Sequence, residues 1–122
     1  MIEGIVDETG AVLVPLTVNG IEPNAIVQAL LDTVFNGTLT LPKAILAAMH
    51  AVQSGVAKSI LADGSMIHLR TFFVDVGWHE GLQTIEVQES EGPILLGMNL
   101  LGGSRLIVDA VPHGRVEITP LE

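Results

Sequence analysis

Leu30-Leu31-Asp32-Thr33-Val34-Phe35-Asn36-Gly37-Thr38-Leu39-Thr40-Leu41-Pro42 is the stretch on which the reading of the fold turns. It follows Ala25 to Leu31, apolar throughout except for Gln28, which is the pattern of a strand buried on both faces. That run stops at Asp32-Thr33 and meets Asn36-Gly37, a turn signal that a helix of this length rarely contains, so a strand is favoured over a helix. Beyond the stretch, Thr40 is placed to cap a helix with Pro42 in its first turn. Ile45, Leu46 and Met49 then share one side, predicting a short helix over residues 42–52.

Working outward, Ile2 to Val6 and Val12 to Val18 read as a hairpin joined by Asp7-Glu8-Thr9-Gly10, and Glu22-Pro23-Asn24 as a further turn. Downstream, Val56 to Leu61 and Met66 to Val76 flank Asp63-Gly64, the strongest short hairpin signal in the chain. Gly77 to Gly81 turns the chain and Leu82 to Val87 alternates apolar and polar residues as a half-buried strand does. Met98 to Leu101, ended by Gly102-Gly103, predicts a turn or two of helix. Arg105 to Asp109 and Arg115 to Ile118 form a closing hairpin around Pro112-His113-Gly114.

A length of 122 residues, with no repeat or linker, predicts one domain over 1–122. Hydrophobic residues make up 48% of the chain and aromatic ones only 3%, so the core is expected from Val, Ile, Leu, Ala and Met, which suits strands. Five Lys+Arg against fourteen Asp+Glu give a net charge of -9, which repels phosphate backbones and anionic membranes, so neither nucleic acid nor membrane is an expected partner. No apolar run reaches the roughly eighteen residues of a membrane span, and Met1-Ile2-Glu3-Gly4 lacks the basic flank of a signal peptide. A soluble, cytoplasmic protein is the expectation. The absence of cysteine excludes thiol catalysis and disulfide scaffolding.

In its order of elements the chain resembles the retropepsin-like aspartic proteases, especially the bacterial and cyanobacterial group whose loop reads Asp-Thr-Gly-Phe. Three stretches carry the resemblance: Asp32 to Pro42 matches the catalytic loop, Leu61-Ala62-Asp63-Gly64-Ser65 the flap, and Ile94-Leu95-Leu96-Gly97-Met98-Asn99-Leu100-Leu101 the apolar-apolar-Gly strand with its helix. They span nearly the whole chain in the family's order. The resemblance implies an all-β fold, a small closed barrel with one or two short helices. In it the Asp32 loop interlocks with the Gly97 segment beneath a cleft, and the flap residues Ala62, Asp63, Gly64 and Ser65 cover that cleft. Substrate would bind as an added strand between flap and floor, in mostly apolar pockets.

Cleaving a peptide bond through an activated water needs one group to accept a proton and another to donate one, and two facing carboxyls that share a proton do both. The chain carries one Asp-Thr segment of this kind, so the dyad requires Asp32 from two identical chains and homodimerisation belongs to the mechanism. Thr33 is implied by the resemblance to brace the dimer. Val34 stands where the family's loop has glycine. A β-branched side chain there is expected to displace the water, separate the two carboxyls or bend the loop, all of which slow catalysis. The expected activity is therefore that of an aspartic endopeptidase, and the alternative a domain that holds extended peptides or a partner protein without cutting.

No cofactor and no metal is expected: His50, His68, His79 and His113 are dispersed without ligand spacing. No serine sits in a Gly-x-Ser-x-Gly elbow, and no glycine group forms a phosphate loop. Asp75 and Asp109 read as solvated strand-end carboxylates and Trp78 as a turn or interface anchor.

Overall fold

The computed structural model of the chain describes residues 1–19, 24–60 and 62–122. The turn expected at Glu22-Pro23 and the flap residue Leu61 lie outside them. Ten strands and two short helices follow in the order β1 (Ile2–Val6), β2 (Val12–Asn19), β3 (Asn24–Leu31), β4 (Thr40–Leu41), α1 (Lys43–Ala48), β5 (Val52–Ile60), β6 (Met66–Trp78), β7 (Gly81–Glu89), β8 (Leu95–Leu96), α2 (Met98–Leu101), β9 (Ser104–Val108) and β10 (Arg115–Pro120). The all-β class is as expected. Among the described residues no helix is long and apolar enough to cross a membrane.

The expected closure into a barrel is not found. The sheet is open, running β4-β7-β6-β2-β1-β10-β9, with β3 and β8 branching from β2 and β5 from β6. An isolated antiparallel bridge joins Leu39 to Leu96, but β4 and β8 are two residues each, too short for a ladder that would close the sheet. Another correction concerns β3. Val27 and Ala29 are buried while Gln28 is exposed and Ile26 is 77% exposed, so one face packs on the core and the other is open.

Alternation explains the core. β2 points Val14, Leu16 and Val18 inward, β6 points Phe72, Val74, Val76 and Trp78 inward, and β7 adds Ile85 and Val87. Trp78 is thus a core residue rather than a turn or interface anchor; strand β6 runs through it, and the turn follows at His79 and Glu80. At the first hairpin, Asp7 Oδ1 accepts from the Thr9 and Ala11 N–H groups and Gly10 takes φ +90°, the conformation that favours glycine.

Two expectations near the key stretch are revised. Helix α1 is shorter than 42–52, because β5 already begins at Val52, and its N-cap is Pro42 with no side-chain cap. Thr40 lies in β4, where its buried hydroxyl donates to Pro93 O (3.1 Å) and accepts from Leu95 N (2.8 Å). The helical face is as expected, with Leu46 and Met49 buried and Ile45 packed against them.

Candidate active site

Asp32 sits where β3 ends, and the loop that follows is fixed from behind. Its N–H donates to Leu96 O (3.0 Å), and three donors of the Gly97 segment grip the loop carbonyls: Gly97 N to Thr38 O (2.9 Å), Met98 N to Phe35 O (2.9 Å) and Asn99 N to Gly37 O (3.1 Å). This explains the glycine at 97. A Cβ built there would lie 2.2 Å from Gly37 O and 2.9 Å from Phe35 O, so only glycine allows the two segments to approach this closely. The structure therefore seats the loop that carries Asp32, Thr33 and Val34 against the Gly97 segment.

At the front of the loop, the Asp32 Oδ1 atom accepts from Val34 N (3.0 Å) and Phe35 N donates to Asp32 O (3.2 Å). These bonds orient the carboxylate relative to its own backbone. Asp32 is half-buried, Thr33 exposed and Val34 86% exposed, so the tip of the loop presents its side chains outward. Val34 is absent from the residues with positive φ, which among the non-glycines described are His50, His79 and His113. The loop thus accommodates valine without left-handed backbone, and what valine adds is an exposed apolar side chain at the loop tip.

The flap expectation corresponds to the β5–β6 hairpin, with Ala62, Asp63, Gly64 and Ser65 exposed at its tip. The tip is organised by its own bonds: Asp63 Oδ1 accepts from Ser65 N (2.9 Å) and Ser65 Oγ (2.6 Å), and Gly64 takes φ +86°. Those donors hold the Asp63 carboxyl below the usual aspartate range, the Ser65 hydroxyl contributing most. A register shift between Gln53 and Gly55 lies at the base of the hairpin, where the Ser54 and Thr71 hydroxyls bond to each other at 2.8 Å.

A cavity of about 400 Å3 opens beside the loop, between Gly37 and Thr38, the hairpin residues Ala57 and Thr71, β7 and Asn99. Its lining is mixed, polar side chains such as Thr38, Thr71, Glu86 and Asn99 standing beside Ala57 and Ile85, where mostly apolar pockets were expected. Thr38 Oγ1 donates to Glu86 O (2.6 Å), tying the loop to β7. Sequence reading passed over Glu86, which lines this cavity, and Phe73, which stands across from it on β6. The available signal was the two-residue alternation of β6, which puts Phe73 and Asp75 on one face once Phe72 and Val74 are assigned to the core.

A second cavity, about 340 Å3, lies away from the loop between the β1–β2 turn and Ala110 to Pro112; its Asp7 carboxylate is engaged by Thr9 and Ala11. Ile2 to Val6 and Arg115 to Ile118 pair with each other within the chain, and β10 also pairs with β9. The four histidines fall in separate places, and no group of three or more His, Asp or Glu side chains converges among the described residues. No family model, curated protein or solved structure matches the chain.

Proposed function

We infer that the chain is a retropepsin-like aspartic endopeptidase that works as a homodimer, with Asp32 of each copy supplying one carboxyl of a shared dyad. The observation that carries this reading is the Asp32 loop itself. It is held from behind by Gly97, Met98 and Asn99, its carboxylate is oriented by the Val34 N–H, and its tip at Thr33 and Val34 is exposed, free to meet a second copy. The interlock of loop and Gly97 segment is also what the resemblance of the three sequence stretches implies.

In such a pair the ionised carboxylate takes a proton from the water held between the two, and the protonated one donates to the carbonyl oxygen of the substrate. The resulting tetrahedral species collapses as the leaving nitrogen takes up a proton. The hairpin tip closes over the extended peptide and excludes solvent. One observation favours a second reading, peptide binding without cleavage: an exposed apolar side chain, Val34, stands at the loop tip on the residue whose N–H bonds the Asp32 carboxylate.

Cleavage of a peptide library from acid to neutral pH, blocked by pepstatin-type inhibitors, tests the proposal. Asp32→Asn should abolish turnover yet keep the loop, since the amide oxygen still accepts from Val34 N–H. A protein that is strictly monomeric at micromolar concentration would sink the two-chain site.

A further inference from the structure

The sheet face opposite the core carries side chains that the Asp32 chemistry does not use. Because β6 sends Phe72, Val74, Val76 and Trp78 inward, Thr71, Phe73 and Asp75 stand on its other face. Register places Glu86 directly across from Phe73 on β7, and Val52 across from it on β5. Phe73 is 49% exposed although aromatic, and Glu86 is exposed beside it. Asp75, one pleat further along, accepts from the Thr84 hydroxyl. Two carboxylates therefore flank an exposed ring.

Among the described residues no cation pairs with either carboxylate. Of the five Lys+Arg, Lys43 is in α1, and Arg105 and Arg115 are in β9 and β10. Lys58 pairs with His68, and His68 and Arg70 alternate with Leu69 and Thr71, so Lys58 and Arg70 lie on the opposite face of the hairpin. Arg70 is in any case held by Glu89 through Nε at 2.7 Å. The face also adjoins the active-site loop, since Thr38 is bonded to Glu86 O and both line the 400 Å3 cavity.

We propose that Phe73 and Glu86, with Asp75 beside them, form a subsite for a basic side chain, arginine by preference, of an extended peptide at a position flanking the Asp32 centre. The proposal rests on the reading of the Asp32 loop as a peptide site. A guanidinium plane stacks on the Phe73 ring while its N–H groups reach the Glu86 carboxylate, a combination that suits arginine better than lysine. The net charge of -9 draws basic peptides toward the chain and disfavours acidic ones. A surface ion pair together with an exposed cation–π contact corresponds to about a tenfold preference.

The test walks a single arginine along a neutral, labelled extended peptide and pairs each with its citrulline counterpart, measuring binding to the Asp32→Asn chain by anisotropy. At one register the arginine peptide should bind about tenfold tighter than the citrulline peptide, and the preference should narrow in high salt. Glu86→Gln should remove the preference, Phe73→Ala should reduce it, and Glu86→Lys should turn it toward a glutamate peptide. Both residues replaced, Phe73 and Glu86, are at exposed positions, and thermal unfolding verifies that each variant is folded. Equal binding of both peptides at every register, or a preference that survives Glu86→Gln, overturns the proposal. The two readings separate in the wild-type chain: an arginine preference without cleavage keeps the subsite and removes the peptidase, whereas equal cleavage of both peptides removes the subsite and keeps the peptidase.

Discussion

Replacing Gly97 by alanine tests the physical heart of the site, the close seating of the Asp32 loop on the segment behind it. The new Cβ would lie 2.2 Å from Gly37 O, 2.6 Å from Phe35 Cδ2 and 2.9 Å from Phe35 O. The Phe35 ring can turn away, but Gly37 O and Phe35 O are backbone atoms bonded to Asn99 N and Met98 N, so relief requires the loop to move. Overpacking of this kind costs about 1–3 kcal/mol and loss of one of the gripping hydrogen bonds about 0.5–1.5 kcal/mol more, together about 2–4 kcal/mol. For a chain of this size that is a fall in Tm on the order of 10 °C. The assay is urea and thermal unfolding at fixed protein concentration, since association would make Tm concentration-dependent. Gly81→Ala is the control: a Cβ there meets nothing within 4 Å, and the change should stay within about 0.5 kcal/mol. A Gly97→Ala chain as stable as Gly81→Ala would refute the interlock.

Thr40→Val removes the hydroxyl that serves Pro93 O and Leu95 N and should cost about 1–3 kcal/mol in denaturant unfolding, whereas Thr40→Ser, which keeps both bonds, should cost about 1 kcal/mol or less. Val34→Gly removes only an exposed side chain, so stability should fall by less than about 1 kcal/mol through added chain entropy, while peptide cleavage should rise; an unchanged rate would show that valine is not the obstacle. At the hairpin tip, folding lowers the Asp63 pKa, so the turn's stabilisation is fully present above the ordinary aspartate value and is lost as pH falls through the depressed one. The Ser65 amide shift in an NMR titration should report this transition, and Ser65→Ala should move it upward in pH.

Local signals were legible wherever the deciding interactions lie within a few residues. Asp7-Glu8-Thr9-Gly10 forms its turn through Asp7 and Gly10, Asp63-Gly64 tips its hairpin, and Met98–Leu101 is helical where the paired glycines end it. Partners distant in sequence were not legible. Thr40 has the composition of a helix cap, but its hydroxyl is claimed by Pro93 and Leu95, more than fifty residues away. The apolar run of β3 looked buried on both faces because composition cannot tell that Ile26 faces outward, and Trp78 looked like a turn residue because glycines bracket it at 77 and 81. Asp32 was found from its neighbours in sequence; Phe73 and Glu86 became a pair only through strand register.

The in-chain pairing of the terminal strands changes where a second copy would have to bind on the proposed two-chain reading. β10 has β1 on one edge and β9 on the other, so a partner's strand cannot be added to it without displacing a ladder already made. The loop tip carries no such obligation, and its Thr33 and Val34 side chains are exposed. A two-fold axis through that tip places the two Asp32 loops face to face and sets Val34 between them. On that reading the same valine both crowds the water between the carboxyls and supplies apolar surface to the contact, so replacing it by glycine works in opposite directions on turnover and on association. Measuring both in one variant separates them: cleavage per dimer should rise while the dimer dissociates at higher protein concentration.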